Sequence, residues 1–369
     1  MNIFSEFYKG KKVLVTGHTG FKGSWLTLWL LELGAEVIGY SLDPNTNKDN
    51  FVLTNLSGKI IDLRGDIKDY YKLKSVFDKY EPDIVFHLAA QPLVRISYEF
   101  PRETFEDNIM GTINVLECVK KSESVIACIN ITSDKCYDNK EWIWGYKETD
   151  PMGGYDPYSA SKGCSELVIS SYINSFFNPS NYELHKKVVS SVRAGNVIGG
   201  GDWAKDRIIP DCIRAIEENT PIEVRNPKSV RPWQHVLEPL SGYLWLGSKM
   251  QLEPSRYSGA WNFGPDTDSI VTVREIVSKV IKGFCGSEWV DCSQATNKFH
   301  EAKLLNLDCS KAKFALGWKP TLNIDECIDL VIDWYRKYNT TDVYKLCTEE
   351  INQFVQKAKK SGNIWAISE

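Results

Sequence analysis

The chain has 369 residues, which is long for one hydrophobic core and predicts a large domain with a smaller companion. Its 44 basic and 48 acidic residues give a formal net charge of -4, so the composition argues against nucleic acid or an anionic membrane surface as a partner. No apolar run reaches the roughly 18 residues of a transmembrane helix, and the amino terminus lacks the apolar stretch of a secretory signal.

The ten cysteines are scattered, with no CxxC pair and no Cys/His spacing of the kind that binds zinc. A disulfide framework is typical of small secreted domains rather than of a chain of this size. We therefore expect reduced thiols, no metal site and a cytoplasmic location.

The first half of the chain alternates strand-like and helix-like patterns. Strand patterns cover residues 12–16, 36–40, 83–90, 124–132 and 187–195, and helix patterns cover residues 21–34, 68–80, 101–121 and 156–177. This alternation predicts an α/β fold with a Rossmann-type, doubly wound parallel sheet, whose ligands bind beyond the carboxyl ends of the strands. After residue 195 come glycine- and proline-rich loops, a strand at 259–265, amphipathic helices at 271–284 and 324–338, and a helical tail.

Three glycines, Gly17, Gly20 and Gly23, stand between the first strand and the first long helix. A turn could need small residues for its own sake, but this position also offers free backbone N–H groups to a pyrophosphate. The strand–loop–helix context predicts dinucleotide binding. The GxxGxxG spacing resembles the extended branch of the short-chain dehydrogenase/reductase superfamily, and the resemblance implies that His18, Phe21 and Lys22 also border the cofactor.

The choice between NAD and NADP depends on the residues that come after the second strand. Asp43 is our candidate for the ribose diol, although strand register alone also allows Ser41. We expect no arginine close enough to favour a 2′-phosphate, so NAD is the predicted cofactor. The resemblance to the superfamily further implies that Asp66 contacts the adenine ring and that Ala89 lies on the nicotinamide side.

These assignments divide the chain into two predicted domains. Residues 1–190, with 235–265 returning to them, form the NAD-binding Rossmann domain. Residues 191–234 and 266–369 form a smaller, mixed α/β substrate domain at the carboxyl-terminal side.

The sequence YSASK places Tyr158 and Lys162 four residues apart, on one face of a helix. A phenol with a pKa near 10 is a poor base at neutral pH, but a neighbouring ammonium and a cationic nicotinamide would stabilise its phenolate. Tyr158 could then take a proton from a sugar hydroxyl while NAD takes the hydride, with Lys162 also holding the nicotinamide ribose. Ser133, at the end of a strand facing the same crevice, would complete the triad.

Asp134 and Lys135 come directly after that serine, and an acid at this point suits a dehydratase better than an epimerase. Several long stretches, among them GHTGFKGSWL, TSDKCYD, YDPYSASKGCSELV and RPWQHVLEPLSGYL, resemble the CDP-glucose 4,6-dehydratases from about residue 10 to 340. The resemblance implies NAD-dependent conversion of CDP-D-glucose to CDP-4-keto-6-deoxy-D-glucose, a hydro-lyase reaction on the route to 3,6-dideoxyhexoses of lipopolysaccharide. C4 is oxidised, water leaves from C5 and C6, and the hydride returns to C6.

One position departs from the wider 4,6-dehydratase pattern. Other nucleotide-sugar dehydratases have Asp-Glu where this chain has Asp134 and Lys135. Asp134 remains the candidate acid that protonates the leaving C6 hydroxyl. Lys135 could remove the C5 proton if it were neutral, or it could hold the enolate charge while another group moves the proton.

The loops after residue 195 supply the candidate substrate ligands. Arg207 and Arg231 match the geometry of a nucleoside diphosphate, and Asn196 would contact the pyrophosphate or the sugar. Trp203 could stack near the base, and Gln234 and Gln91 complete the set, with Arg95 and Tyr98 as weaker candidates. We interpret His235 and Arg193 as structural residues.

Three hypotheses about the function stay open at this point. The chain could dehydrate CDP-glucose, it could be a dehydratase or 4-epimerase for another nucleotide sugar, or it could be a catalytically silent NAD(H)-binding sensor. The family resemblance implies a homodimer or a dimer of dimers, built through a four-helix contact that includes the helices near 101–121 and 156–177.

Overall fold

The computed structural model of the chain describes residues 3–284, 288–294 and 304–367. Within these ranges the strands are β1 (Lys12–Thr16), β2 (Glu36–Ser41), β3 (Ile61–Arg64), β4 (Ile84–His87), β5 (Ala127–Ile131), β6 (Val188–Ala194), β7 (Val197–Ile198), β8 (Ile222–Val224), β9 (Val230–Pro232), β10 (Gln234–His235), β11 (Gly259–Phe263), β12 (Ile270–Thr272) and β13 (Trp289–Asp291).

The α-helices of the same ranges are α1 (Ile3–Tyr8), α2 (Phe21–Glu32), α3 (Asn50–Leu53), α4 (Tyr70–Tyr80), α5 (Val94–Glu99), α6 (Pro101–Phe105), α7 (Gly111–Lys121), α8 (Pro157–Phe176), α9 (Tyr182–His185), α10 (Ile208–Glu217), α11 (Leu237–Lys249), α12 (Pro254–Tyr257), α13 (Val273–Phe284), α14 (Ile324–Lys337) and α15 (Val343–Lys360). None of the described helices is long and apolar enough to cross a membrane.

The central sheet has seven parallel strands in the order β11-β6-β5-β4-β1-β2-β3. The chain winds outward from β1 in one direction through β2 and β3, and in the other through β4, β5, β6 and β11. This reversal between β1 and β4 opens a crevice at the carboxyl ends of those strands, where α/β proteins bind ligands. The predicted doubly wound parallel sheet is confirmed, although the sequence patterns did not reveal β3, a short edge strand that is only partly buried.

Helices cover both faces of this sheet. On one face, α2 and α11 contribute the buried rings of Trp25, Trp29 and Tyr243 to the larger core. The tail helix α15 joins them, because Trp29 contacts Phe354 at 6.0 Å between ring centroids. The smaller core on the opposite face lies beneath α4, α7 and α8.

The remaining strands, together with three helices, form a smaller mixed unit beside the carboxyl edge of the sheet. Its strands pair as β13 with β8, β12 with β9, and β10 with β7, and α10, α13 and α14 pack around them. The division into two domains stays a prediction, and two observations bear on it. The proposed boundary at residue 190 falls inside β6, and α15 packs on α2 of the Rossmann sheet rather than on the smaller unit alone.

The predicted helix over 101–121 is present but contains a π-helical turn at Glu106–Met110, between α6 and α7. Such a wide turn inside a helix often occurs at functional sites. The Asn108 amide in this turn donates to Ser161 Oγ at 2.8 Å, and its oxygen accepts from the Gln91 backbone N–H at 2.8 Å. The turn therefore fixes the loop after β4 against α8.

A buried ion pair connects β6 to α8. Arg193 donates to Glu166 Oε2 at 2.7 Å, and both side chains are almost fully excluded from solvent. Ser191 Oγ donates to the same oxygen at 2.7 Å, while Arg193 also donates to Tyr137 Oη at 2.6 Å. These bonds explain how two charged groups are tolerated behind the helix that carries Tyr158, since buried charges require partners for their polar groups.

Removing one member of this pair should destabilise the fold strongly. We expect Glu166→Leu to lower the free energy of unfolding by about 3–5 kcal/mol, because the Arg193 guanidinium would remain buried without its counter-ion. Urea denaturation followed by circular dichroism measures this loss. The double variant Glu166→Leu/Arg193→Met should recover much of it, and a double variant as unstable as the single one would contradict the explanation.

Candidate active site

The crevice predicted from the strand order is a cleft of about 1490 Å³. Pockets for one small ligand occupy roughly 300–1,000 Å³, so this cleft has room for two ligands side by side. Its walls come from the loops after β1, β2, β4 and β5, from the start of α8, from the loop before α10, and from the segment between β8 and β9.

The glycine loop has the backbone geometry of a phosphate cradle. Gly17 has φ +76, and a Cβ atom at this position would lie 2.7 Å from the Ala89 backbone nitrogen. A Cβ on Gly23 would lie 2.0 Å from the Gly17 carbonyl oxygen. Gly20 caps α2 without any side-chain bond, which leaves the first N–H groups of the helix directed at the cleft. The loop thus fits the pyrophosphate of a dinucleotide.

At the diol end of the cleft, Asp43 is exposed and lines the wall, whereas Ser41 Oγ is held at 2.8 Å from Thr19 Oγ1. The expectation that no arginine lies nearby is wrong, because Arg64 Nε lies 2.9 Å from Asp43 Oδ1. Arg64 also donates to both oxygens of Asp62, at 2.7 and 3.0 Å. Two carboxylates neutralise this guanidinium, so it does not favour a 2′-phosphate. Sequence reasoning missed it because β3 was not recognised.

The remaining cofactor candidates divide into two groups. Phe21, Lys22, Asp66 and Ala89 line the cleft. His18 does not, because its ring is fully buried and its Nε2 lies 2.8 Å from Asp62 Oδ1. The His18 ring supports the underside of the glycine loop, and burial lowers its pKa.

Tyr158, Lys162 and Ser133 meet at the floor of the cleft. Asp156 caps α8 by accepting from the Ser159 N–H at 2.9 Å, which places Tyr158 in the first helical turn and Lys162 one turn later. Burial raises the pKa of Tyr158 to about 12, partly offset by its hydrogen bond with Ser133. Burial, together with the nearby Lys22 ammonium, lowers the pKa of Lys162 to about 8.

Asp134 is a buried carboxyl with spare hydrogen-bonding capacity. Its Oδ1 accepts from Ser133 Oγ at 3.0 Å, while Oδ2 has no hydrogen-bond partner among the described residues. Burial raises its pKa, and the neighbouring Lys135 opposes that rise. Lys135 Nζ lies 5.9 Å from the centroid of the Tyr158 ring, so the acid, the phenol and this second cation share one small space.

Three of the predicted substrate residues, Asn196, Arg207 and Arg231, line the cleft. Arg207 donates to Asp202 Oδ2 at 2.9 Å, and the buried Asp202 carboxylate fixes the direction of its guanidinium. Burial within the cleft lowers the pKa of Lys22 to about 8, and the positive charge of Arg207 adds to this effect.

The structure places the other three predicted substrate residues outside the cleft wall. Trp203 is buried against Tyr335, with 5.4 Å between ring centroids, so it is not available for stacking on a base. Gln234 is buried and its amide donates to the Phe263 carbonyl at 3.1 Å. The Gln91 amide donates to Thr104 Oγ1 at 2.9 Å and shapes its own loop. In each case a polar or aromatic residue near the site is used for packing.

Sequence reasoning did not single out three charged residues of the cleft wall, Asp202, Asp206 and Arg225. They lie in irregular loops or beside a three-residue strand, where no periodic pattern indicates which way a side chain faces. His235, interpreted as structural, is fully buried 3.0 Å from Glu350. In the described ranges no group of three or more His, Cys, Asp or Glu side chains could hold a metal ion.

Comparisons with known proteins agree with this geometry. The family model described as GDP-mannose 4,6 dehydratase matches residues 14–331. A CDP-glucose 4,6-dehydratase from Salmonella typhimurium is 51% identical over 354 residues, covering 96% of this chain and 98% of that protein. A dTDP-glucose 4,6-dehydratase from Xanthomonas campestris is 25% identical over 346 residues, covering 87% of this chain and 92% of that protein.

Solved structures share the fold. A dTDP-glucose 4,6-dehydratase from Bacillus anthracis in complex with NAD has a TM-score of 0.72 at 20% identity, covering 89% of this chain and 97% of that one. A UDP-glucose 4-epimerase from Thermotoga maritima with UDP-glucose has a TM-score of 0.73 at 21% identity, covering 88% of this chain and 99% of that one.

The glycine cradle can be tested by adding a single methyl group. We expect Gly17→Ala to weaken NAD binding roughly tenfold or more, because alanine is strained at φ +76 and its Cβ would collide with the Ala89 backbone. Gly20→Ala is the matched control, since its Cβ would lie 3.4 Å from the nearest atom, the Gly17 carbonyl oxygen. Calorimetric titration with NAD compares the two folded variants, and equal losses would contradict the cradle.

Proposed function

Because the chain belongs to the GDP-mannose 4,6-dehydratase family of the extended short-chain dehydrogenases/reductases, we propose that it is an NAD-dependent hydro-lyase that converts CDP-D-glucose to CDP-4-keto-6-deoxy-D-glucose. The observation that carries this proposal is 51% identity, over almost the full length of both chains, to a CDP-glucose 4,6-dehydratase. The buried Asp134 carboxyl beside Ser133 and Tyr158 supplies the chemistry that a dehydratase needs.

The glycine loop, Asp43, Asp66 and Ala89 would hold NAD. Bound NAD supplies a hydride acceptor for C4 oxidation and the hydride that is returned to C6, so the cofactor is not consumed. Asp43 would accept hydrogen bonds from the ribose diol, and the N-terminus of α2 would face the pyrophosphate.

Tyr158 is the group that takes the C4 hydroxyl proton. A pKa of about 12 keeps the phenol neutral at pH 7, so proton transfer would depend on nearby positive charge such as that of an oxidised nicotinamide. Ser133 would hold the reacting oxygen through its hydroxyl. Lys162, whose pKa is about 8, stays mostly protonated at neutral pH and would bind the nicotinamide ribose while stabilising the phenolate.

Asp134 is the acid that protonates the leaving C6 hydroxyl. A carboxyl must hold a proton to do this, and burial raises the pKa of Asp134 in that direction. The C5 proton is acidic only while C4 is a ketone, so elimination must come after oxidation. Lys135 either removes that proton or stabilises the enolate, and its place beside the Tyr158 ring is compatible with both roles.

The diphosphate of the substrate would bind between Arg207 and Arg231, with Asn196 at the sugar end. Both arginines lie close enough to the reacting groups to influence them, since Arg207 lowers the pKa of Tyr158 and Arg231 lowers that of Asp134. The glucose ring is thereby placed between the arginines and the catalytic floor.

A homodimer, or a dimer of dimers, is the proposed assembly. Large apolar side chains are exposed on and beside the helices that cover one face of the sheet: Phe100, Met110, Leu167 and Phe176. A second copy of the chain that packs on these helices would cover these side chains, as the proposed dimer contact requires. We also propose a cytoplasmic location, which the free thiols of the nine described cysteines support.

The proposed function predicts which nucleotide sugar is turned over. Incubation of the NAD-loaded enzyme with CDP-, UDP-, GDP- and dTDP-glucose should give loss of one water from CDP-glucose, measured by mass spectrometry. Interconversion of C4 epimers without loss of water would indicate an epimerase. Binding of NAD without turnover of any nucleotide sugar would favour a sensor. Dehydration of UDP-, GDP- or dTDP-glucose instead of CDP-glucose would show that the proposed nucleobase of the substrate is wrong.

Two variants should stop the reaction at different steps. Tyr158→Phe should block oxidation and lower kcat by roughly 10²–10⁴, because the C4 hydroxyl proton loses its acceptor. Asp134→Asn should still oxidise C4 but accumulate the CDP-4-keto-glucose intermediate, because the amide cannot protonate the leaving hydroxyl. Rapid-quench mass spectrometry distinguishes the two, and full activity in either variant would refute its assigned role.

A further inference from the structure

Two arginines from opposite sides of the cleft share one carboxylate oxygen. Arg225 Nη1 contacts Asp206 Oδ1, and Arg95 Nη1 lies 3.5 Å from the same oxygen. Arg95 belongs to α5 on the Rossmann side, whereas Arg225 comes directly after β8 in the smaller unit. All three side chains line the cleft, so this bridge joins the two sides of the molecule where a nucleotide sugar must enter.

We propose that Asp206 is an internal competitor for the diphosphate of the substrate. In the free enzyme the Asp206 carboxylate bridges Arg95 and Arg225 and offsets part of their positive charge, and on binding the nucleoside diphosphate takes its place between the two guanidinium groups. This inference rests on the proposed function for the class of ligand. It makes Arg95 and Arg225 two further residues that bind the diphosphate, in addition to Arg207 and Arg231, and it makes Asp206 the residue that controls their availability.

The bridge is weak enough to exchange. The side chains of Arg95 and Asp206 are both about one third exposed, at 36% and 34%, and pairs of this kind contribute little to stability. A diphosphate carries two negative charges and offers several oxygens to guanidinium forks, so it outcompetes one carboxylate.

Arg225 keeps its position when the carboxylate leaves. Its Nη2 atom also donates to the Asp206 backbone carbonyl at 3.3 Å and lies 3.9 Å from Asp211 Oδ2. These contacts hold the guanidinium at the cleft wall, so rotation of the Asp206 side chain exposes a binding group that is already oriented. Binding therefore requires only a side-chain rotation.

The pair formed by Arg207 and Asp202 differs in this respect. Asp202 is only 6% exposed and binds Arg207 at 2.9 Å, and its Oδ1 also accepts from the Ala204 N–H at 3.2 Å. That carboxylate is fixed by its surroundings and serves as a permanent support for Arg207. Asp206, in contrast, is the carboxylate that can leave.

The test is Asp206→Asn, which removes the charge and keeps the size of the side chain. Residue 206 has φ +65, a conformation that asparagine adopts readily, so the backbone is preserved. Calorimetric titration of the NAD-loaded enzyme with CDP should show about fivefold tighter binding in the variant. Binding of cytidine, which has no phosphate, should not change. KM for CDP-glucose should fall while kcat stays within about twofold, because Asp206 touches no reacting atom.

Two further variants distinguish the release of the two arginines from the general effect of removing a negative charge near an anion. Asp291→Asn removes another negative charge from the cleft wall without touching either arginine, and it should leave CDP affinity unchanged. Adding Arg225→Gln to Asp206→Asn should reduce the gain in CDP affinity, because only one of the two released guanidinium groups, that of Arg95, then remains.

Several outcomes would overturn the exchange. One is an affinity for CDP that is lower or unchanged in Asp206→Asn. Another is an equal gain in affinity for cytidine and for CDP in that variant. The third is an equal gain in CDP affinity in Asp291→Asn. If the unsubstituted enzyme dehydrates CDP-glucose and Asp206→Asn still shows no gain, only the exchange is wrong. If the unsubstituted enzyme neither binds CDP nor dehydrates any nucleotide sugar, the proposed function fails as well.

Discussion

Burial of ionisable groups in one cleft, without full pairing, is the constraint on which this molecule depends. Asp134 has a carboxylate oxygen without a hydrogen-bond partner among the described residues, and burial raises its pKa and that of Tyr158 while lowering that of Lys162. Burial disfavours the charged form of each of these groups, and it keeps the Tyr158 phenol neutral at pH 7 until positive charge is brought close to it. The same burial that makes the site reactive also destabilises the fold around it.

The rigid supports of the cleft offset that destabilisation. The buried ion pair of Arg193 and Glu166 anchors β6 to α8 behind the catalytic face, and Asn108 fixes the loop after β4 from its π-helical turn. These groups do not line the cleft. They keep the strand that ends near Ser133 in register with the helix that begins before Tyr158, because small shifts between the two would separate the reacting groups.

Charges at the entrance are held differently from charges at the floor. Around Arg207, a buried carboxylate fixes the guanidinium permanently, whereas Asp206 is shared, partly exposed and replaceable. Arg207 therefore keeps a fixed direction, whereas Asp206 offsets part of the positive charge of Arg95 and Arg225 until an anion takes its place. In this way a protein with a formal net charge of only -4 still offers a local positive site to a substrate that carries two negative charges.

The sequence alone determined the parallel sheet, the glycine cradle and the set of Ser133, Tyr158 and Lys162, because strand–helix periodicity and fixed local spacing carry that information. It did not determine which loop side chains face the cleft: Trp203, Gln234 and Gln91 are used for packing, while Arg64, Asp206 and Arg225 lie on or beside its wall. Only the tertiary structure decides this, because an irregular loop has no period from which a direction can be read, and the partners that fix its side chains are far away in sequence.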